Sequence, residues 1–312
     1  MRMHRRGVVG AIVALMLLVT AAACGDSGDD TKSSATTVKA KGSVTVGSFN
    51  FAESVLLANL YAKALDNAGY KTTVRGNLGA REVVFPALEK GEIDMVPEYV
   101  GNALAYLAKD AGKPGDNLQT STQKLSDAVK AKQLTVLEPS KATDGDVLAV
   151  TKATADKNKL TKISDLAPVA SQMTLGGPSE CETRITCKVG LEQIYGLKFK
   201  GFRALDSGGP ITNGALEKGD VQVARLFSAD PDIKAKNFVV LDDDKFIQPA
   251  GNVVPLIRTA KVDEAITTVL NKVSSTLTTD DLLEMNRKIN VDKADPDEVA
   301  QQYLQDKGLI KK

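Results

Sequence analysis

The side chains able to do covalent chemistry are few here, and their positions narrow the function early. The only histidine is His4, and the three cysteines are Cys24, Cys181 and Cys187. His4 lies in a stretch that reads as a removable export signal, so the mature chain is expected to contain no histidine. That excludes Ser–His–Asp and Cys–His catalysis and any His-ligated metal site. No G-x-S-x-G motif is present either. What remains is a set of carboxylates, amides, one guanidinium and aromatic rings near predicted strand ends: Asn50, Phe51, Asn77, Glu98, Tyr99, Asn102, Asp144, Asp146, Asn213, Arg225 and Phe227. Paired carboxylates such as Glu98 with Asp144 or Asp146 could serve a secreted hydrolase as acid and base. The same groups could instead hold a small solute, and Asp144 and Asp146 could be no more than acidic turn residues. No catalytic residue, metal site or cofactor is assigned.

The N-terminus reads as an export and anchoring device. Arg2, Arg5 and Arg6 precede an apolar run from Val8 to Val19, too short for a comfortable membrane span but suited to a signal peptide over residues 1–23. Ala21-Ala22-Ala23 followed by Cys24 looks like a lipobox, with Ala21 where Leu is usual, so Cys24 is expected to be lipidated and to become the new N-terminus. Cleavage lowers Lys+Arg from 40 to 37 against 39 acids, a net charge of −2, which gives no electrostatic grip on nucleic acid. Residues 24–41 are polar and small, a flexible tether of roughly 20–25 Å by chain scaling. The expected location is the outer face of the cell membrane. Cys181 and Cys187, flanking ETRIT in an exported chain, are expected to form a disulfide, which for so small a loop adds roughly 2 kcal/mol.

The elements that must position these groups alternate as in an α/β protein. Ser43 to Gly47 is a β-branched strand, Ala52 to Gly69 carries apolar residues at helical spacing, and Lys71 to Arg75 resumes a strand. A helix over Ala80 to Lys90 stops at Gly91, where a left-handed residue is needed. A strand over Glu92 to Val96 follows, and Pro97 is expected to break it and to favour a helix beginning near Glu98 and Tyr99. The pattern β–α–β–α–β predicts an open parallel sheet, with ligand at the carboxyl ends of its strands. Lys113 to Asn117 is a Gly/Pro loop. The octet ALEKGEID at Ala87 returns as ALEKGDVQ at Ala215, 128 positions on, which points to two lobes of similar build. A strand near Val253 is placed to return the chain to the first lobe, and the last 50 residues read as helices.

Several phrases occur in the order of a known family: GSFNFAES, GEIDMVPEYVGNAL, IYGLKF, the DSG turn with ALEKGDV, VVLDDDKF and DPDEVAQQYL. From about Gly42 to the C-terminus the chain resembles the substrate-binding proteins of quaternary-amine (glycine betaine, choline, carnitine) ABC importers. The resemblance implies a two-lobed α/β fold of the type II periplasmic-binding-protein class with two crossover hinge strands. Residues 42–148 with 250–312 would form lobe 1, and 149–249 lobe 2. It also implies a small-molecule ligand, an ABC permease and ATPase as partners, no enzymatic activity, and a monomer. In the family an aromatic box surrounds the quaternary ammonium by cation–π attraction. Phe51 and Tyr99 occupy family positions near the pocket, with Phe227 beside it. Where many relatives have Tyr before the LAV strand this chain has Asp146, and where many have Tyr before the second ALEKG helix it has Asn213. Arg225 adds a positive charge nearby. A hydroxylated, aromatic or carboxylate ligand therefore stands beside the amine as an alternative.

Overall fold

The computed structural model describes residues 41–108 and 117–311. The signal, Cys24 and all but the last residue of the tether lie outside them, as does most of the Lys113–Asn117 loop. Two five-stranded mixed sheets form the core of two lobes. The first holds β1 (Ser43–Gly47), β2 (Lys71–Arg75), β3 (Met95–Tyr99), β4 (Leu134–Val136) and β10 (Val253–Arg258), in the order β2-β1-β3-β10-β4. The second holds β5 (Asp146–Thr151), β6 (Thr174–Pro178), β7 (Gly201–Leu205), β8 (Val223–Phe227) and β9 (Phe238–Leu241), in the order β7-β6-β8-β5-β9.

The two orders are the same topology used twice. Four strands in each sheet run the same way, and the one in the fourth position is antiparallel to both neighbours and supplied by a crossing segment: β5 leaves the first lobe for the second sheet, and β10 returns. The sheets are therefore mixed, a correction to the expected parallel sheet. The difference comes from the strand that each sheet receives from the crossing, which a β–α–β pattern read within one lobe does not contain.

The repeated octet holds equivalent places. Its first copy ends α2 (Arg81–Lys90) before β3, and its second ends α7 (Pro210–Glu217) before β8. Gly91 and Gly219 both adopt left-handed backbones, with φ of 76° and 78°. Behind them, the N–H of Glu92 reaches the Ala87 carbonyl and that of Asp220 the Ala215 carbonyl, each at 2.9 Å.

Pro97 does not break the strand. It lies inside β3 opposite Pro255 of β10, and two prolines cannot exchange N–H···O bonds, so theirs is a non-hydrogen-bonded pair that needs no donor from either. Glu98 and Tyr99 are consequently the last residues of β3, and the next helix, α3, starts at Val100 and runs to Ala108.

Helix α1 (Ala52–Asn67) buries Leu56, Leu57, Leu60, Tyr61 and Leu65 completely. The C-terminal helices α9 (Glu264–Thr276), α10 (Thr279–Asn290) and α11 (Pro296–Asp306) pack on it, and the Tyr61 hydroxyl meets Ser274 Oγ at 2.9 Å. On the other face, α2, α3 and α4 (Leu118–Lys130) share a core with Phe85, Leu88 and Val254. Lobe 2 is covered by the short helices α5 (Lys152–Asn158), α6 (Lys188–Gln193) and α8 (Pro231–Ala235) together with α7. Cys181 and Cys187 are disulfide-bonded, with Cα atoms 5.2 Å apart, in the segment between β6 and α6. No helix among the described residues is long and apolar enough to cross a membrane.

The crossing segments touch backbone to backbone. Asp144 N–H donates to the Gly251 carbonyl at 2.9 Å, and Thr143 bridges Asn252. A Cβ on Gly251 would stand 2.5 Å from Gly145 N and 2.7 Å from Asp144 C. Gly251→Ala is expected to destabilise by about 1–3 kcal/mol, because backbone on both sides must shift. Gly214→Ala, in α7 with no heavy atom within 4 Å, is expected to stabilise by up to about 1 kcal/mol. Urea unfolding of the two variants checks the contrast.

Candidate ligand-binding cleft

The carboxyl ends of strands from both sheets face one another across a cleft, and the loops leaving them bring in its walls. Phe51 caps the start of α1 after β1, Tyr99 ends β3, and Phe227 ends β8. The Phe51 ring lies 5.0 Å from that of Phe227 in the opposite lobe and 6.3 Å from that of Tyr99. Phe49 stacks behind Phe51 at 5.9 Å.

This ring group lies between two regions of different charge balance. On one side is a cavity of about 180 Å³ walled by Glu53, Asp144, Asp206 and Asp230, with Phe51, Phe227 and Asn286. On the other is a void of about 20 Å³ where Arg81, Arg184 and Arg225 stand with Phe51, Tyr99 and Phe227, and where Asp144 and Glu180 also reach the wall. A larger cavity of about 470 Å³ shares Arg81, Asn102 and Arg184 with it. Two buried polar atoms on that side lack partners, Asn102 Oδ1 and Arg184 Nε. Burial, and then the charge of Arg81, hold the Arg184 guanidinium below its ordinary range, so an anion there would relieve both. Glu82 already meets Arg184 across the lobes at 3.0 Å, using another guanidinium nitrogen.

Of the residues singled out in the sequence, Asn50, Phe51, Tyr99, Asn102, Asp144, Arg225 and Phe227 line these cavities. Four are placed elsewhere. Glu98 is fully buried and takes both Arg81 nitrogens, Nε at 2.7 Å and a terminal nitrogen at 2.5 Å, while accepting the Tyr99 N–H. Both Glu98 oxygens are therefore engaged by the chain's own donors. Asp146 is buried and ion-paired with Arg225. Asn213 lies within α7 rather than before it, and donates to Asp230 at 2.8 Å. Asn77, exposed, turns the chain after β2 with φ of 56°, its N–H donating to Ser48 Oγ at 2.9 Å.

The sequence reading missed Glu53, Arg81, Arg184, Asp206 and Asn286. Glu53 and Arg184 carried a signal, since both sit just past the end of a strand, one after β1 and one in the disulfide loop after β6. Asn286 carried none, being an amide in the middle of an amphipathic helix. Among the described residues no cluster of His, Cys, Asp or Glu is arranged to hold a metal.

Glu53 is the hub. Its carboxylate accepts the Tyr99 hydroxyl at 2.5 Å and the Asn286 amide, which also donates to the Ala229 carbonyl at 3.1 Å. Asp144 is beside it and accepts the Ala229 N–H at 2.6 Å and the Ser228 hydroxyl at 3.2 Å. Burial raises both carboxyls; the neighbouring Glu53 raises Asp144 further, whereas the bonds from Tyr99, Asn286 and Asp144 lower Glu53. Two carboxyls in contact away from water favour sharing a proton over both being ionised, with Asp144 the more strongly raised of the two. Burial and the neighbouring Glu53 raise the Tyr99 hydroxyl in the same way.

A carboxyl whose folded-state pKa is raised stabilises the fold fully below its unfolded value and loses that contribution as pH rises through the folded value. Asp144→Asn, which keeps a neutral donor toward Glu53, is expected to match the parent's melting temperature at about pH 3.5, below the ordinary Asp value of 3.8. At pH 8 it should exceed it by about 2–4 °C, the shift of about 1 kcal/mol in a chain of this size. Thermal melts at the two pH values check this.

With this geometry in place, the likenesses to known proteins are specific. Residues 42–306 match the family model of the substrate binding domain of ABC-type glycine betaine transport systems. The glycine betaine-binding protein YehZ of Escherichia coli K12 is 28% identical over 285 residues, which is 88% of this chain and 93% of that protein. The carnitine transport binding protein OpuCC of Listeria monocytogenes serotype 1/2a is 25% identical over 275 residues, 85% of this chain and 87% of its own. The fold superposes on the crystal structure of a glycine betaine/carnitine/choline ABC transporter component with a TM-score of 0.67 at 24% identity, covering 85% and 99% of the two chains. The matched span includes both sheets, both crossing strands and the cleft between them, and the chain belongs to the family of extracytoplasmic substrate-binding domains that capture solute for ABC-type glycine betaine importers.

Proposed function

We propose that this chain captures a small zwitterion of the betaine type between its lobes and delivers it to an ABC permease. The observation that carries the reading is the polarity of the cleft. Around one ring pair, Phe51 and Phe227, one side has carboxylates and no guanidinium (Glu53, Asp144, Asp206, Asp230), while the other has three guanidiniums against the carboxylates of Asp144 and Glu180. A trimethylammonium group is held by ring faces and carboxylates, and a carboxylate by Arg184, whose Nε is buried without an acceptor. Glycine betaine and carnitine, named for the relatives, both have this charge pattern.

In this reading residues 42–148 with 250–312 make lobe 1 and 149–249 lobe 2, and the crossing strands are the hinge. Residues 1–23 direct export, and Cys24, lipidated, anchors a monomer to the membrane's outer face through the polar tether. The chain carries out no reaction of its own; its partners are the ligand, the permease and its ATPase.

A carboxylate or hydroxylated solute without a quaternary amine is the second reading, favoured by the Arg225 guanidinium over the Phe227 ring at 4.0 Å. Calorimetric titration with glycine betaine, carnitine, choline and a polyhydroxylated aromatic separates the two. Micromolar binding of the betaines supports the first reading, and heat only with the last compound overturns it. Arg184→Ala is expected to weaken glycine betaine binding at least 10-fold while changing choline, which lacks the carboxylate, less than about 3-fold. Equal losses for both ligands would remove Arg184 from the carboxylate site.

A further inference from the structure

We propose that Arg225 is a resident cation occupying the aromatic box, and that the Arg225–Asp146 pair sets the selectivity of the cleft against simple quaternary amines. This rests on the reading of the cleft as a betaine-type site and specifies what that site rejects.

Three rings, Phe51, Tyr99 and Phe227, surround a void of only about 20 Å³. That is room for about one water molecule, so a trimethylammonium group does not enter it as it stands. The space is filled by Arg225. Its guanidinium lies 4.0 Å from the Phe227 centroid, the placement an external cation would take for a cation–π contact. Asp146, at the start of β5, supplies the counter-charge, and Ser207 Oγ accepts a further bond at 3.4 Å. Both members of the ion pair are only 6% exposed at their side chains.

The parts of a cation site are thus all present, with rings, a buried carboxylate and exclusion of water, but the cation is built into the chain. β-Register explains why the parts meet: Asp146 pairs directly with Phe227, and Arg225, two residues before Phe227, points to the same face of the sheet. An ammonium entering between the rings on the arginine side must expel the guanidinium from both its ring and its carboxylate, whereas a betaine keeps its ammonium on the carboxylate side and presents its carboxylate to the arginines. Selectivity comes from a repulsive element placed at the competing ligand's site.

Removing the resident cation should open the site. Arg225→Met leaves Asp146 facing the vacated rings, and Arg225→Met with Asp146→Leu keeps the position apolar and free of an unpaired buried charge. Calorimetry with choline and with its neutral tert-butyl analogue, 3,3-dimethylbutan-1-ol, is run on the parent and both variants, with melting temperatures as the check on folding. Choline affinity is expected to rise at least 10-fold in Arg225→Met and by a smaller factor in the double variant, with little gain for the neutral analogue. A folded variant pair that binds choline no better than the parent overturns the proposal, as does an equal gain for the neutral analogue, which would mean that only space was created. Should Arg225→Met fail to fold, the double variant decides by the same criteria. If the parent binds glycine betaine and neither variant gains choline, the proposal fails while the betaine reading stands. If parent and variants bind no amine at all, both fail.

Discussion

Where the two crossing segments pass, a buried carboxylate, Glu53, is bonded to groups from four parts of the chain. Tyr99 comes from the end of β3, Asn286 from α10, Asp144 from the outgoing crossing segment, and Ala229 joins through Asn286 and Asp144 from beyond β8. An ionised carboxylate away from water is costly unless its lone pairs are used, and each of these donors is fixed in place by the need to use them. The placement of the segment after β8 depends on this satisfaction, because Ala229 packs into the same core as Tyr99 and Met285. The same hub sets one wall of the cleft, so the hinge and the ligand-facing surface are physically one structure.

The duplicated topology explains why the site forms at the interface and not within a lobe. Each lobe presents the carboxyl ends of three parallel strands, and the loops leaving them are the only segments free to carry irregular, polar side chains. Facing two such ends toward each other encloses a cleft whose walls come from sequence segments as far apart as Phe51 and Phe227. Neither lobe contains a complete site. The rings of Phe51 and Phe227, 176 residues apart in the chain, stand 5.0 Å apart across this cleft.

Buried arginines give the cleft its individual character. Arg81 is neutralised by Glu98 and Arg225 by Asp146, while Arg184 shares the half-exposed Glu82 and leaves one nitrogen without an acceptor. Two of the three positive charges thus have a buried partner within the protein, and the third keeps one nitrogen unpartnered. The aromatic scarcity visible in the composition has its structural counterpart here: three rings and an ion pair stand around the void.

Features governed by local physics were legible from the residues alone. Gly91 and Gly219 stop their helices because a left-handed backbone favours glycine, and strands β2 and β9 run over Lys71–Arg75 and Phe238–Leu241 as their composition indicates. The two-lobed class followed from the repeated octet, and the absence of histidine beyond His4 limited the chemistry whatever the fold. Long-range pairing decided the rest. Pro97 signals a strand end to any local rule, yet Pro255, 158 residues later, makes it an unstrained member of β3. Glu98 looked available for chemistry until Arg81 was brought against it, and Asn286 acquired its role only when α10 packed beside α1. Local backbone preferences act over a few residues and are written in order along the chain. Charge satisfaction and burial act over a few ångströms in space, so which carboxylate is spent and which faces the ligand is settled only when the tertiary structure has chosen the neighbours.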